Sequence, residues 1–278
     1  MSLMNDNQYI KLTENDLNEI IKEELGILLE IVEISKKVYD NILVDIKKQP
    51  KVKSDTCSII SGHVPCTLKD VHFNVYYTYR NFFDINVVNS IGVDALTEGG
   101  SGFISKDFVV CNIDILGVSG NINKQMALST IQHELEHLYQ QISSNKRIPG
   151  NDMLYAKMRN DMEGDDETRY NAARLVYACY KSEQEGFING TYAWCMADDS
   201  KTKPYDYSEI KNSPAGKLYE EMKTLYLKSK TDKSLRNVLE KEYSLSQKII
   251  ENKIRDFGRR LGRVLIKVNN DKSKIWRK

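Results

Sequence analysis

No cysteine pair stands at C-x-x-C spacing in this chain of 278 residues, and the five cysteines, Cys57, Cys66, Cys111, Cys179 and Cys195, are odd in number. A cysteine zinc knot is thereby excluded, and a disulfide framework is argued against. Proline is scarce, at five residues, and glycine modest, at 15, so collagen-like and low-complexity chains do not fit. No apolar run approaches the roughly 18 residues that a bilayer crossing needs, and no basic, apolar and small signal pattern opens the chain. A cytoplasmic protein with no membrane partner is the expectation. Charge of neither sign prevails, since 40 Lys and Arg stand against 39 Asp and Glu. With 41% hydrophobic and 28% charged residues, what is left is a globular protein with capacity for one large domain or two small ones.

The near-neutral total conceals one uneven stretch. Residues 253–278 hold ten Lys or Arg and two Asp, a net +8, which leaves −7 of the overall +1 for residues 1–252. Histidine is scarcer still, with four in all, and two of them fall in Ile131-Gln132-His133-Glu134-Leu135-Glu136-His137-Leu138. On a helix, His133 and His137 lie one above the other and can reach one metal ion, while Glu134 sits about 100° around, placed to deprotonate a metal-activated water. Taking His133 as 0°, Leu128, Ile131, Leu135, Leu138 and Ile142 fall at about 140–220°. One face therefore packs on a core. The other, with Met126, Ser129, Thr130, Gln140 and Gln141 beside the histidines, reads as the floor of a cleft. His63 and His72 have no partner at ligand spacing and read as structural.

A site with two histidines needs at least one more protein ligand. The stretch Tyr180-Lys181-Ser182-Glu183-Gln184-Glu185-Gly186-Phe187 supplies two carboxylates. If a helix runs unbroken over 171–196, then Val176, Tyr180, Phe187 and Trp194 lie within about 60° of Glu183. That sets Glu183 in an apolar face, where a carboxylate is costly unless paired or bound to metal. Glu185 lies on the polar side, where pairing with Lys181 explains it, and it ranks second. Gly186 would let this helix approach the motif helix closely. The acidic cluster Asp161, Glu163, Asp165, Asp166 and Glu167 lacks the spacing of a calcium loop and reads as a solvated helix start. Two imidazoles and one carboxylate suit a single Zn²⁺ ion.

In chain order, residues 13–47 predict a long helix with a Thr13 and Asp16 capping box. Strand-like runs follow at 58–64, 71–79, 85–93 and 107–116, with a turn at 98–102 before the last. Short connections predict a small, mostly antiparallel sheet. If the strand at 107–116 lies at the sheet edge, its backbone groups could pair with an extended peptide. After the motif helix everything reads as helical. The expected fold is α+β: a long N-terminal helix (1–49), a sheet with the active-site helix (50–145) and a helical lobe that supplies the third ligand (146–278).

His133-Glu134-Leu135-Glu136-His137 with a later helical glutamate resembles the zincin superfamily of zinc metallopeptidases, in the gluzincin pattern. More narrowly, the motif followed by Glu183-Gln184-Glu185-Gly186 is similar to metallopeptidases of phages and bacterial mobile elements, which carry E-x-E-A there. The likeness covers about residues 107–197. It implies a sheet whose edge strand binds a peptide or protein substrate, with His133, His137 and the glutamate on zinc and Glu134 as general base. Acyl chemistry of this kind also needs an oxyanion donor, for which Tyr192 and Tyr170 are candidates. Two other classes compete. One is a metal-stabilised binding protein that does not cleave. The other is a nucleic-acid or acidic-partner binder working through the C-terminal stripe Ile250, Ile254, Phe257, Leu261, Val264, Leu265 and Val268 and the basic residues around it. The ordinary account of that stripe is a packed helix with a solvated basic face.

Overall fold

The computed structural model describes residues 14–48, 52–53, 57–82, 102–104, 109–118, 122–144 and 153–276. The first helix, α1 (Glu14–Lys48), buries Ile31, Ile34, Val38, Tyr39 and Ile42. Those positions recur at helical spacing, which is why this stretch packs as a helix against the sheet. Thr13, half of the expected capping box, lies outside the described residues.

Five strands form one sheet: β1 (Val52–Lys53), β2 (Cys57–Leu68), β3 (Val71–Phe82), β4 (Gly102–Ile104) and β5 (Val109–Val118), in the order β1-β2-β3-β5-β4. Three are long and two are short flanking pieces. β2 and β3 make a hairpin with Leu68 opposite Val71, turned by Lys69 and Asp70 at φ 46° and 62°. Positive φ at both central residues matches the strand twist. β2 runs four residues past its expected end, through Pro65, which faces Asn74 of β3. The lost donor is tolerated because β1 pairs with β2 only at Ser58 and Ile59. Alternation sends Ile60, Val64, Cys66, Phe73, Val75, Tyr77 and Tyr79 into the core.

Two expectations about the sheet need correction. β5 pairs with β3 in parallel, with Val75 beside Cys111 and Tyr79 beside Ile115, so the sheet is mixed. A parallel pair requires a crossover of a dozen or more residues, and residues 83–108 supply it. Nor is β5 the outermost strand, because β4 pairs antiparallel with Val109–Cys111. The expected strand at 85–93 and most of the turn at 98–102 lie outside the described residues.

The remainder is helical, which makes the fold α+β with nine helices among the described residues. Besides α1 these are α2 (Lys124–Ser144), α3 (Met153–Glu163), α4 (Glu167–Cys179), α5 (Lys181–Met196), α6 (Tyr207–Ile210), α7 (Pro214–Thr231), α8 (Lys233–Glu242) and α9 (Gln247–Trp276). Among the described residues no helix is long and apolar enough to cross a membrane. The acidic cluster is put to structural use. Asp166 caps α4, accepting from the backbone amides of Thr168 and Arg169 at 2.8 and 3.0 Å. Asp161 pairs with Lys157 at 2.7 Å and accepts from the Tyr243 hydroxyl at 2.6 Å.

Two apolar cores result. One joins α1, the sheet and the inner face of α2, and the other gathers α3 to α9. In the second, α9 buries Ile250, Phe257, Leu261, Val264 and Val268, so the C-terminal stripe is core. Phe257→Ala is expected to cost about 3–5 kcal/mol, whereas Ile266→Ala, at a side chain 63% exposed, stays within about 0.5 kcal/mol. Denaturant midpoints of the two variants check this.

Candidate metal centre

The motif helix α2 is sandwiched. Leu128, Ile131, Leu135 and Leu138 are buried against the sheet, as the apolar stripe predicts. The opposite face is not the open cleft floor expected of it, because α5 lies along it and leaves Ser129 and Thr130 3% and 7% exposed. The two helices run antiparallel: Gln125 Nε2 donates to the Trp194 carbonyl at 3.2 Å near one end, and Gln140 Nε2 donates to Glu185 at 3.2 Å near the other.

Two glycines set how close they come. A Cβ on Gly186 would stand 2.9 Å from the His133 ring, and one on Gly190 would stand 2.8 Å from the Ser129 carbonyl oxygen. Any side chain at either place would push the helices apart. Gly186 also lends its backbone, to which the His133 ring hydrogen-bonds. A carbonyl behind a histidine is the usual means of fixing the ring and freeing its other nitrogen for a metal. The role read for Gly186 in the sequence is the one its geometry shows. Gly190 was passed over, although Gly186 and Gly190 stand four apart in the sequence.

Glu183 enters from the first turn of α5. The helix expected to run unbroken from 171 to 196 is interrupted at Tyr180, whose φ of −67° and ψ of 131° end α4 and begin α5. No proline or glycine marks this break; the buried Gln184 bridges it by donating to the Ala178 carbonyl at 2.8 Å. The interruption turns the Glu183 backbone position into a helix N-terminus, where free amides favour negative charge. Its Oε2 lies 3.5 Å from His133 Nε2 and 3.4 Å from His137 Nε2, and the two imidazole nitrogens are 2.9 Å apart. The donor atoms of His133, His137 and Glu183 all fall within 4.8 Å of one another. Metal bonds of about 2.0–2.1 Å at tetrahedral angles separate donors by roughly 3.3–3.4 Å. The two histidine-to-glutamate spacings match that, and the imidazole pair would open slightly.

The electrostatics fit an ionised carboxylate between two imidazoles. Burial works against the charge of Glu183, yet hydrogen bonds from His133 and His137 win and hold it well below the usual carboxylate range. Burial also pulls His137 down, but the hydrogen bond and charge of Glu183, with the charge of Glu134, raise it to about 9. Burial lowers His133, and repulsion from His137 adds to it. Protonation to the imidazolium is thereby favoured at His137 over His133, and the two rings pack edge to face at 4.6 Å.

The other sequence candidates sort cleanly. Glu134 is 3% exposed, and its charge is felt by His137, Cys111, Tyr155 and Tyr177. Glu185 is not in the ligand group: it pairs with Lys181 and Arg260, each at 3.4 Å. Tyr192 is corrected. Nine residues after Glu183 it faces the opposite side of α5, where its hydroxyl donates to Asp271 at 2.9 Å. Tyr170 is 42% exposed and stands outside the group. His72 meets the Thr67 hydroxyl at 2.9 Å, and His63 stacks on Tyr76 at 5.6 Å. The tyrosines that do reach the centre are Tyr177 and Tyr155. Tyr177 hydrogen-bonds Glu183, and burial followed by that charge pushes its hydroxyl far up. Tyr155 is raised by burial and by the charges of Glu183 and Glu134. An unbroken helix would have turned Tyr177 about 120° away from Glu183, so only the bend at Tyr180 reveals it.

Comparison with known proteins adds no family: the chain matches no protein-family model, no curated protein and no solved structure.

Ligation must displace the proton of His137. Titrating zinc into metal-stripped protein at pH 7.5 is expected to release about one proton per ion. Below pH 9 the apparent affinity should fall about tenfold per pH unit, until His133 also protonates. Calorimetry in buffers of different ionisation enthalpy measures both. Glu183→Ala should weaken zinc binding more than about 100-fold, and Glu185→Ala should leave it within a few-fold.

Proposed function

We propose that the protein is a zinc-dependent metallopeptidase of the H-E-x-x-H type, zincin-like in fold and gluzincin-like in its ligands, that hydrolyses peptide bonds. The observation that carries this is the convergence of His133, His137 and Glu183 from separate helices, with the buried carboxylate of Glu134 beside them. A group of two imidazoles and one carboxylate leaves a fourth position for water or substrate, as catalytic zinc sites do and closed structural sites do not.

Bound there, zinc would polarise the scissile carbonyl and lower the pKa of water to about 7. The protein's own residues do the rest. Glu134 takes the proton of the attacking water on its carboxylate and passes it to the leaving amine nitrogen. Tyr177 holds the Glu183 carboxylate in place through its hydroxyl, and Tyr155, between Glu183 and Glu134 electrostatically, is the better placed donor for the developing oxyanion. A peptide substrate finds its backbone partner on the short strand β4, which packs against α2 and is the outermost strand on the β5 side of the sheet among the described residues. An extended peptide would add there as one more strand.

Glu134→Gln preserves shape and removes the base. On a fluorogenic peptide library it is expected to lower turnover at least about 100-fold while zinc content stays at that of the parent. Turnover surviving that change would overturn the mechanism. A parent protein that binds zinc and cleaves nothing would instead make the scaffold a metal-stabilised binding protein.

A further inference from the structure

The outer face of α9 is not used by the metal centre and carries a separate chemistry. Counted at 100° per residue, Lys248, Arg255, Arg259, Arg263 and Lys274 fall within about a 100° sector, opposite Ile250, Phe257, Leu261, Val264 and Val268. All five basic side chains are exposed, and all five apolar ones are buried. From Lys248 to Lys274 the ladder is about 39 Å long, with Arg255, Arg259 and Arg263 recurring every ~6 Å. Lys274 is paired with Asp271 at 3.2 Å, and the arginines have only loose acidic neighbours. Asp256 stands 3.7 Å from Arg259, and Glu251 stands 3.9 Å from Arg255, with every partner more than half exposed. Such pairs are worth little and are screened by salt. Arg263 and Lys248 make no ion pair among the described residues.

We infer that this face binds the phosphate backbone of duplex nucleic acid. Charge complementarity asks for a polyanion, and arginine, three of the five cations, matches phosphate bidentately. The length is a little more than one turn of B-form DNA. A membrane is disfavoured because the apolar side of α9 is already spent in the core, so nothing is left to enter lipid. A single strand is disfavoured because, among the described side chains, the ladder presents no aromatic ring for bases to stack on. An acidic protein partner would want an apolar or aromatic anchor, and the large exposed apolar side chains described on α9 are the isolated Ile249 and Ile266, 42% and 63% exposed and 17 residues apart. Exposed cations along a helix face supply phosphate contacts, which position a duplex without reading its sequence.

The test is fluorescence anisotropy of a labelled 20-base-pair duplex of mixed sequence against the full chain, from 50 to 200 mM NaCl. Binding is expected, with a log–log salt slope of about −3.6 to −4.5 for four or five neutralised phosphates. The triple variant Arg255→Gln, Arg259→Gln, Arg263→Gln should raise Kd at least tenfold and flatten the slope by about 2–3. Its melting temperature and zinc content should equal the parent's, which separates this face from the metal centre. No anisotropy change at 50 mM NaCl, or full binding by the triple variant, would overturn the inference. So would a single strand bound more tightly than the duplex, or equal competition by polyglutamate or anionic vesicles.

Discussion

A carboxylate that is 6% exposed must be paired or neutralised, and the rest of this structure follows from how Glu183 is paired. Its partners are two imidazoles on a neighbouring helix, at 3.4 and 3.5 Å. That pairing demands that α2 and α5 lie almost backbone to backbone, which Gly186 and Gly190 permit. It demands also that the histidines turn away from the core of their own helix. The leucines and isoleucines of α2 meet that second demand by binding its other face to the sheet. Metal affinity, proton inventory and helix packing are three aspects of one contact.

The same contact joins the two apolar cores. α2 belongs to the sheet core, while the far side of α5 packs on α7 and α9 of the helical core, and the proposed site lies on the seam between them. A seam of this kind places polar groups where neither core supplies apolar partners, and ligand sites concentrate there for that reason. It also explains the buried Glu136. That side chain is 7% exposed, and burial raises its pKa against opposing hydrogen bonds from Asn189 at 2.7 Å and Gln140 at 3.3 Å. It sits on the seam rather than in either core.

Much of this was legible in the residues. The H-E-x-x-H spacing, the opposed apolar stripe of α2 and the awkward burial of Glu183 each follow from helical geometry, and together they locate the ligand group. What was not legible has a common physical origin, the relation between elements rather than within them. The break at Tyr180 carries no proline or glycine, so nothing in the sequence brings Tyr177 to Glu183, and Tyr192 and Tyr170 stand as the candidates there. The parallel pairing of β3 and β5 is a relation between strands distant in sequence, whereas the antiparallel reading rested on short connections. The covering of the second face of α2 depends on α5, which local periodicity cannot place. Gly190 is the exception: its four-residue spacing from Gly186 was in plain view and marks close helix contact.

The register of α2 on α5 is what makes the site specific rather than fortuitous. One turn of slippage is about 5.4 Å, enough to bring Asn189 or Gly190 opposite His133 and carry Glu183 out of reach. Several contacts oppose the slip independently. Gly190 lies against the Ser129 carbonyl and hydroxyl, and Asn189 holds Glu136. Gln140 shares its amide between Glu136 and Glu185, while Glu185 is held from behind by Arg260 of α9. A buried polar chain of this sort is costly when half satisfied, so a slipped register would lose several hydrogen bonds at once. The charge at Glu136, which contributes nothing to a two-histidine motif as such, thereby has a physical use. It makes one alignment of the helices far better than its neighbours, and that alignment is the one that assembles His133, His137 and Glu183.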